Sequence, residues 1–452
     1  MKFTDLNPHE GMGANSLLVE LGPFCIIIDA GMNPKEMGKA ALPNFELLKG
    51  KTVDCVILTH CHLDHLGALP VLMRQLPNVP ILATDASAQL ASVLLHNSVN
   101  VMQRQREEHN CRDLPLYKHG EATQTYRQIV PLRYKEPRTL YRKGEKIELT
   151  LFSAGHVAGA SALEIIYKKR RILFTGDVLF TPQKILSGAS LPKGPFDTLV
   201  METTHGAKNR PIDNTRQTEV KRLIKSLNST LSRGGSCLIP VFALGRMQEV
   251  LSLIYQAYQE EQLQKSPIYC AGLGLAVAQT LDRVARFNPQ INFRRKILNK
   301  LKTKSLPKSL NPRNVPPEPA IYVLSSGMMV EQTPAYKVAA MLLRHHKHSI
   351  CFVGYCDPDT PGGKLLATQH GSAFAFESLN YVCPVNAHIE HFDLSGHAER
   401  NELKEFALAA DPRSIVLTHG DQEAREWFLN SFQQMASHIQ LLNPEPLVTY
   451  QV

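Results

Sequence analysis

The hydrophobic rhythm of the chain changes twice and so divides it into three stretches. Up to about residue 207, short β-branched runs alternate with turns. Residues 15–21 and 24–29 predict a hairpin around Gly22-Pro23. Residues 53–59 form a nearly continuous apolar run and predict a buried strand. Further strands are expected at 81–83, 147–153, 162–168, 171–175 and 197–202, and helices at 68–74 and 86–112. After Lys208, helical faces alternate with short strands. Helices are expected at 215–232, 245–259, 275–287 and 334–344, and strands at 236–241, 268–270, 321–325 and 350–355. That alternation predicts a parallel sheet with helices on its faces. From about 386 the earlier style returns, with a polar loop, helix 399–409 and strand 414–418. No repeat array or low-complexity tract interrupts the pattern.

Composition adds bounds. A chain of 452 residues has room for more than one domain, and 43% hydrophobic with 20% charged residues is the balance of a soluble globular protein. No apolar run reaches the length of a membrane span, and residues 1–6 lack the apolar stretch of a secretory signal, so a cytoplasmic location is expected. Nine scattered cysteines without a C-x-x-C pair fit reduced thiols. The net charge of +9 is uneven: residues 208–320 hold 19 Lys and Arg against 7 Asp and Glu. Within them Arg294, Arg295, Lys296, Lys300, Lys302, Lys304 and Lys308 cluster with no acid between Arg283 and Glu318, the footprint of a polyanion partner. Prolines at 307, 312, 316, 317 and 319 keep open the alternative of a solvated loop.

Chemistry concentrates in His60-Cys61-His62-Leu63-Asp64-His65, directly after the run at 53–59. Three imidazoles and a carboxylate in six positions suit a divalent metal such as zinc. The spacing lets His60 and His62 point one way and Asp64 and His65 another, so the loop can serve two ions. Cys61 is expected to alternate away and pack. Three later motifs each set one ligand-type residue at a strand end beside small neighbours: Gly155-His156, Thr175-Gly176-Asp177 and Thr418-His419-Gly420. The segment Ile415-Val416-Leu417-Thr418-His419 echoes Val56-Ile57-Leu58-Thr59-His60, which suggests two strand ends aimed at one site.

With these motifs the chain resembles, over essentially its whole length, the metallo-β-lactamase superfamily and within it the β-CASP ribonuclease family. Further matching pieces are Glu202 in Val200-Met201-Glu202-Thr203-Thr204-His205-Gly206 and His397 in Leu394-Ser395-Gly396-His397. Pro240-Val241-Phe242-Ala243-Leu244-Gly245-Arg246 and Val353-Gly354-Tyr355-Cys356 look like the nuclease subunit of the cleavage and polyadenylation specificity factor and its prokaryotic relatives. The branch acting on RNA carries His where this chain has His419, whereas the DNA-repair branch commonly carries Val.

The resemblance implies an α/β fold, a metallo-β-lactamase αβ/βα sandwich from residues 1–207 and 386–452, with an inserted β-CASP α/β domain at 208–385 capping the metal site. It implies two Zn2+ per chain, one on His60, His62 and His156, the other on Asp64, His65 and His419, with Asp177 bridging. The implied activity is a zinc-dependent ribonuclease using a two-metal-activated hydroxide, as an endonuclease with exonuclease action open. Asp64 serves as both ligand and catalytic residue. His397, polarised by Glu202, is the implied general acid, and Asp29 the acid that orients a ligand histidine. Arg246, Ser325 and Ser326 are candidate substrate contacts. Single-stranded RNA is the expected partner, no membrane is involved, and a homodimer is left open. Two other readings are a small-molecule metallo-hydrolase of thioesterase or lactonase type, which needs no basic insertion, and a non-catalytic RNA-binding scaffold.

His345, His346 and His348 are expected to be solvated, and Trp427 to pack a helix. The chain departs from the family pattern at Val330-Glu331-Gln332-Thr333, at Ala271-Gly272-Leu273-Gly274, and at His205, where the family usually has Tyr. These departures bear on substrate preference and leave the metal ligands intact.

Overall fold

The computed structural model describes residues 1–211, 213–307, 310–311, 318–436 and 438–452. Lys308 of the basic cluster and the prolines at 312, 316 and 317 lie outside the described residues. The chain forms two compact units: Met1–Pro182, Ser187–Arg210 and His397–Val452 make one, and Gln183–Leu186 with Pro211–Gly396 make the other. No helix among the described residues is long and apolar enough to cross a membrane.

The first unit is built on two seven-stranded sheets. One runs in the order Thr449–Gln451, Lys2–Asp5, Leu17–Leu21, Phe24–Ile28, Cys55–Leu58, Ile81–Thr84, Ile129–Leu132. The other runs Gln440–Leu442, Ser414–Thr418, Thr198–Glu202, Arg170–Phe174, Ser161–Tyr167, Glu145–Ser153, Arg138–Arg142. Alternate residues of both sheets share one core, Val19, Ile26, Ile28 and Ile57 with Leu149, Leu163, Ile172, Val200 and Val416. The intervening residues of Phe24–Ile28 and Cys55–Leu58 are buried as well, which is why these strands read as continuous apolar runs. Helix Asp85–His109 starts at Thr84, whose side chain accepts the Ser87 N–H, and packs along the strands at 81–84 and 129–132.

The second unit holds a six-stranded, wholly parallel sheet ordered Lys304–Ser305, Ile268–Ala271, Ile321–Leu324, Cys237–Pro240, Ser349–Phe352, His388–His391. The βα alternation expected after Lys208 is therefore present. This unit continues to Gly396, past the return expected near 386, because His388–His391 pairs with Ser349–Phe352.

Some strands were not legible in the pattern. Arg138–Arg142 is polar and half-exposed at a sheet edge, and Ile129–Leu132, also at an edge, contains Pro131. One side chain corrects the sequence reading. His348, expected to be solvated, is 1% exposed, and its Nδ1 accepts the Ser236 N–H, so burial pushes its pKa down to about 4. Cys61 and Trp427 do pack: Cys61 donates to the Ser87 carbonyl, and the Arg400 guanidinium lies 4.4 Å above the Trp427 ring.

Candidate metal centre

The carboxyl ends of parallel strands deliver most of the candidate site. Asp29 follows Phe24–Ile28, the loop at 59–62 follows Cys55–Leu58, and Asp177 follows Arg170–Phe174. Glu202 ends its strand, and His419 follows Ser414–Thr418. Parallel pairing of Thr198–Glu202 with Ser414–Thr418 sets Glu202 opposite Thr418 and so brings His419 to the site from far along the chain. A single helical turn, Leu63–Leu66, carries Asp64 and His65.

Seven side chains gather into two groups, His60, His62, His156 and Asp177, and Asp64, His65 and His419, with candidate donor atoms within 4.8 Å inside each. The rings of His60, His62 and His156 stand edge to face, at centroid separations of 4.9, 5.0 and 4.9 Å. His62 Nδ1 and His156 Nε2 are 3.0 Å apart, and His60 Nε2 is buried without a hydrogen-bond partner. Asp177 faces both groups. Its Oδ2 lies 3.6 Å from His60 Nε2 and 3.7 Å from His156 Nε2, and its Oδ1 lies 3.5 Å from both His65 Nε2 and His419 Nδ1. A buried imidazole nitrogen with no partner, beside nitrogens converging on a carboxylate, fits a bound divalent cation.

Two threonines that the sequence reading missed fix the tautomers of histidines in these groups. Asp29, 4% exposed and held at φ 62°, accepts Thr59 N–H, Thr59 Oγ1–H and His65 Nδ1–H, each at 2.7 Å. With Nδ1–H held by Asp29, Nε2, which faces Asp64 and Asp177, is the nitrogen that can give up its proton and offer a lone pair. Because the Thr59 hydroxyl donates to Asp29, it accepts from His60 Nδ1 at 3.2 Å, which leaves His60 Nε2 unprotonated. The second relay has the same logic. Thr204 Oγ1 donates to Glu202 Oε2 at 2.5 Å and accepts from His419 Nδ1 at 2.9 Å, so His419 Nε2 keeps its lone pair, 3.4 Å from Asp64.

Two backbone features hold the loop. Asn15 donates from both its N–H and its side-chain amide to the Asp64 carbonyl. Gly31 lies flat against the loop, where Ala30 N–H and Met32 N–H donate to the His65 and Leu63 carbonyls. A Cβ at Gly31 would sit 1.6 Å from the Asp64 carbonyl oxygen. The sequence signals, a Thr directly before His60, the Thr pair after Glu202 and a Gly two residues past Asp29, are visible only once the role is known.

Burial holds His60 well below the usual imidazole range and His62 down to about 4, so both rings are neutral near pH 7. Burial opposes charge on His65 too, but Asp177, Asp29 and Asp64 outweigh it and raise its pKa well above 6.5. Asp177 is likewise buried against ionisation, yet His419, His65 and His60 hold it well below the usual carboxylate range. Cation binding at His65 must therefore displace a proton.

Beside these groups, His397 Nδ1 donates to Glu202 Oε2 at 3.0 Å, and its ring centroid lies 4.4 Å from that of His156. Glu202 also accepts the Val178 N–H at 2.6 Å, so its carboxylate is anchored on three sides. Burial lowers the His397 pKa, and the Glu202 charge with its hydrogen bond raises it more, for a net rise. Buried His205 stands edge-on to His397 at 5.9 Å.

Three family descriptions match the chain. Residues 9–218 match the metallo-beta-lactamase superfamily, 247–365 the beta-CASP domain, and 382–448 the Zn-dependent metallo-hydrolase RNA specificity domain. Transcription termination factor FttA of Pyrococcus abyssi is 30% identical over 94% of this chain and 67% of its own length. The chain belongs to the metallo-β-lactamase superfamily, in its β-CASP branch. Among other relatives, the probable RNase MJ4 of Methanocaldococcus jannaschii is 28% identical over 91% of both chains. Endoribonuclease YSH1 of Candida glabrata is 26% identical over 93% of this chain and 55% of its own length. The fold is thus that of a β-CASP metallo-hydrolase, a zinc-dependent family, with a His and Asp cluster suited to metal.

The remaining predicted residues belong to the other unit. Arg246 is 5% exposed, with Nη1 on the Leu394 carbonyl and Nη2 on the Gln183 side chain. Burial and the nearby Arg216 lower its pKa to about 9. Its guanidinium is thus engaged inside that unit. Ser326 Oγ accepts the Val330 N–H, and Ser325 follows the strand Ile321–Leu324.

Proposed function

We propose that this protein is a zinc-dependent ribonuclease that hydrolyses phosphodiester bonds within RNA. The observation that carries this reading is the Glu202–His397 pair, a held proton donor beside two groups of metal-type donors. The names of the relatives, an RNase, an endoribonuclease and a transcription termination factor, support RNA as the substrate. We assign His60, His62 and His156 to one zinc and Asp64, His65 and His419 to a second. Asp177 is shared between them, since it turns one oxygen towards each group. The first unit is assigned to the hydrolase domain, and the second, which runs on to Gly396, to the β-CASP insertion.

When bound, two zinc ions supply Lewis acidity to the phosphoryl oxygens and lower the pKa of a water to about 7. The side chains do the rest. Asp29, Thr59 and Thr204 keep three ligand rings in the tautomer that offers Nε2. His397, its Nδ1–H tied to Glu202, carries on Nε2 the proton that the departing 3′ oxygen takes up. Glu202 stabilises the charged ring before transfer and fixes its plane. Burial of His60, His65, His156 and Asp177 keeps bulk water from screening the site.

The test uses 5′- and 3′-end-labelled single-stranded RNA with the zinc-loaded protein and its Asp64→Ala variant. Internal products from the wild type and none from Asp64→Ala are expected, and a ladder growing from one end would mark exonuclease action. Intact RNA with the wild type, or equal cleavage by both proteins, would refute the proposal.

A further inference from the structure

Outside the metal centre, one surface of the second unit combines exposed cations with an exposed aromatic ring. Helix Leu273–Val284 ends in a turn in which Phe287 N–H donates to the Val284 carbonyl. The chain then folds back, and Asp282 staples the two passes. Its Oδ1 accepts the Arg295 N–H at 2.8 Å, and its Oδ2 accepts from Arg286 Nη2 at 3.2 Å. Asp282 thus holds the Arg286 guanidinium and the Arg295 backbone at the helix end, with the Arg294 charge nearby and Arg283 one turn earlier on the helix. From Arg283 to Lys304 there are eight basic side chains and no acid, and all eight are exposed. Phe287 is 80% exposed, whereas the neighbouring Phe293 is fully buried and anchors the returning segment.

A single exposed apolar residue is ordinary. Here the charge carried by the same segment selects among occupants. A second copy presenting the same face would set arginines against arginines, and an apolar protein partner would have to desolvate them. A polyanion with accessible flat faces meets both features: phosphates pair with the guanidinium groups, and a base stacks on the ring. Duplex RNA would engage the cations but keeps its bases paired and covered.

We propose that Phe287 with Arg283, Arg286, Arg294 and Arg295 forms an accessory binding surface for single-stranded RNA, with Phe287 as the base-stacking platform. This rests on the ribonuclease reading. It adds a holding site on residues separate from those that perform hydrolysis, and so predicts that longer RNAs bind more tightly than the catalytic centre alone can hold them.

The experiment measures binding of fluorescein-labelled oligouridine to the full-length, metal-free protein by anisotropy across a salt series. Wild type is compared with Phe287→Ala and with Arg294→Ala/Arg295→Ala; all three side chains are exposed, so the fold is retained. Phe287→Ala is expected to weaken binding about fivefold or more, the scale of one lost base stack. The double arginine variant should lower the slope of log K against log salt by about 1.4, for two phosphates at roughly 0.7 each. Neither should change hydrolysis of the small diester bis(p-nitrophenyl) phosphate by zinc-loaded protein, and Phe287→Ala should leave duplex RNA affinity unchanged. If the wild type cleaves RNA while both variants bind it as the wild type does, the surface is wrong and the ribonuclease reading stands. If the wild type neither binds nor cleaves RNA, both fall. A change of sedimentation coefficient in Phe287→Ala would make this face a protein contact and overturn the proposal.

Discussion

Asp29→Asn tests how the hydrogen-bond network prepares a ligand. Asp29 accepts three bonds at 2.7 Å, two from Thr59 and one from His65 Nδ1. Asparagine keeps one acceptor for the Thr59 N–H but turns an amide donor towards His65. The imidazole then meets a donor at Nδ1 and must move its proton to Nε2, the atom facing Asp64 and Asp177. That tautomer has no lone pair to offer. Restoring it leaves two donors opposed, a loss of about 1.5–3 kcal/mol for a bond to a charged group. Affinity for the ion at Asp64, His65 and His419 should therefore fall about 10- to 100-fold, the usual effect of losing such a partner.

Competition with a chromophoric chelator, counting tight ions per chain, reads this directly. Melting of the metal-free protein supplies a second, independent sign. His65 has a raised folded pKa, so the stability its charge contributes is fully present below its unfolded value of about 6.5 and is lost as pH climbs through the folded value. Asp29 is one of the charges that raise it. The melting gap between wild type and Asp29→Asn should thus be widest in acid and narrow in alkali. Zinc affinity within twofold of wild type, or a gap that widens with pH, would refute the reasoning.

His397→Ala should cut RNA cleavage about 10²–10⁴-fold in single-turnover assays with zinc content unchanged, because His397 packs beside His156 but is not one of the seven metal-type donors. Thr204→Val strands the His419 Nδ1–H, a buried donor worth about 1–3 kcal/mol, so one zinc should bind more weakly while Thr204→Ser restores it. Equal chelator resistance of the two variants would remove Thr204 from the network. Gly31→Ala drives a Cβ to 1.6 Å from the Asp64 carbonyl oxygen, and should cost about 1–3 kcal/mol in melting and release the ion held beside Asp64. An unchanged zinc count in that variant would show that the loop yields without moving its donors.

The chain disclosed its chemistry locally and its arrangement only in three dimensions. The run before His60 announced a strand buried on both faces because Ile26, Ile28 and Ile57 face one core while their neighbours are buried on the other side. The βα rhythm after Lys208 announced a parallel sheet because helix and strand periods are written in adjacent residues. Donor identity was equally legible, since no other common role needs three imidazoles and a carboxylate in six positions. Edge strands such as Arg138–Arg142 were not, because their stability lies in pairing with Glu145–Ser153 rather than in their own side chains.

By itself, then, the sequence determined which atoms are available to hold a metal and which family of folds could carry them. Tertiary structure alone decided how those atoms are shared out. The pairing of Thr198–Glu202 with Ser414–Thr418 brings His419 and Thr204 together across the whole insertion. Only there does a hydroxyl between Glu202 and His419 choose which nitrogen keeps its lone pair. Arg246 shows the converse: its burial depends on a carbonyl at Leu394 and an amide at Gln183 that no local pattern announces. Residue type and period are properties of neighbours in sequence. Tautomer, burial and a carboxylate with one oxygen for each donor group are properties of neighbours in space, and they exist only once distant strands have paired.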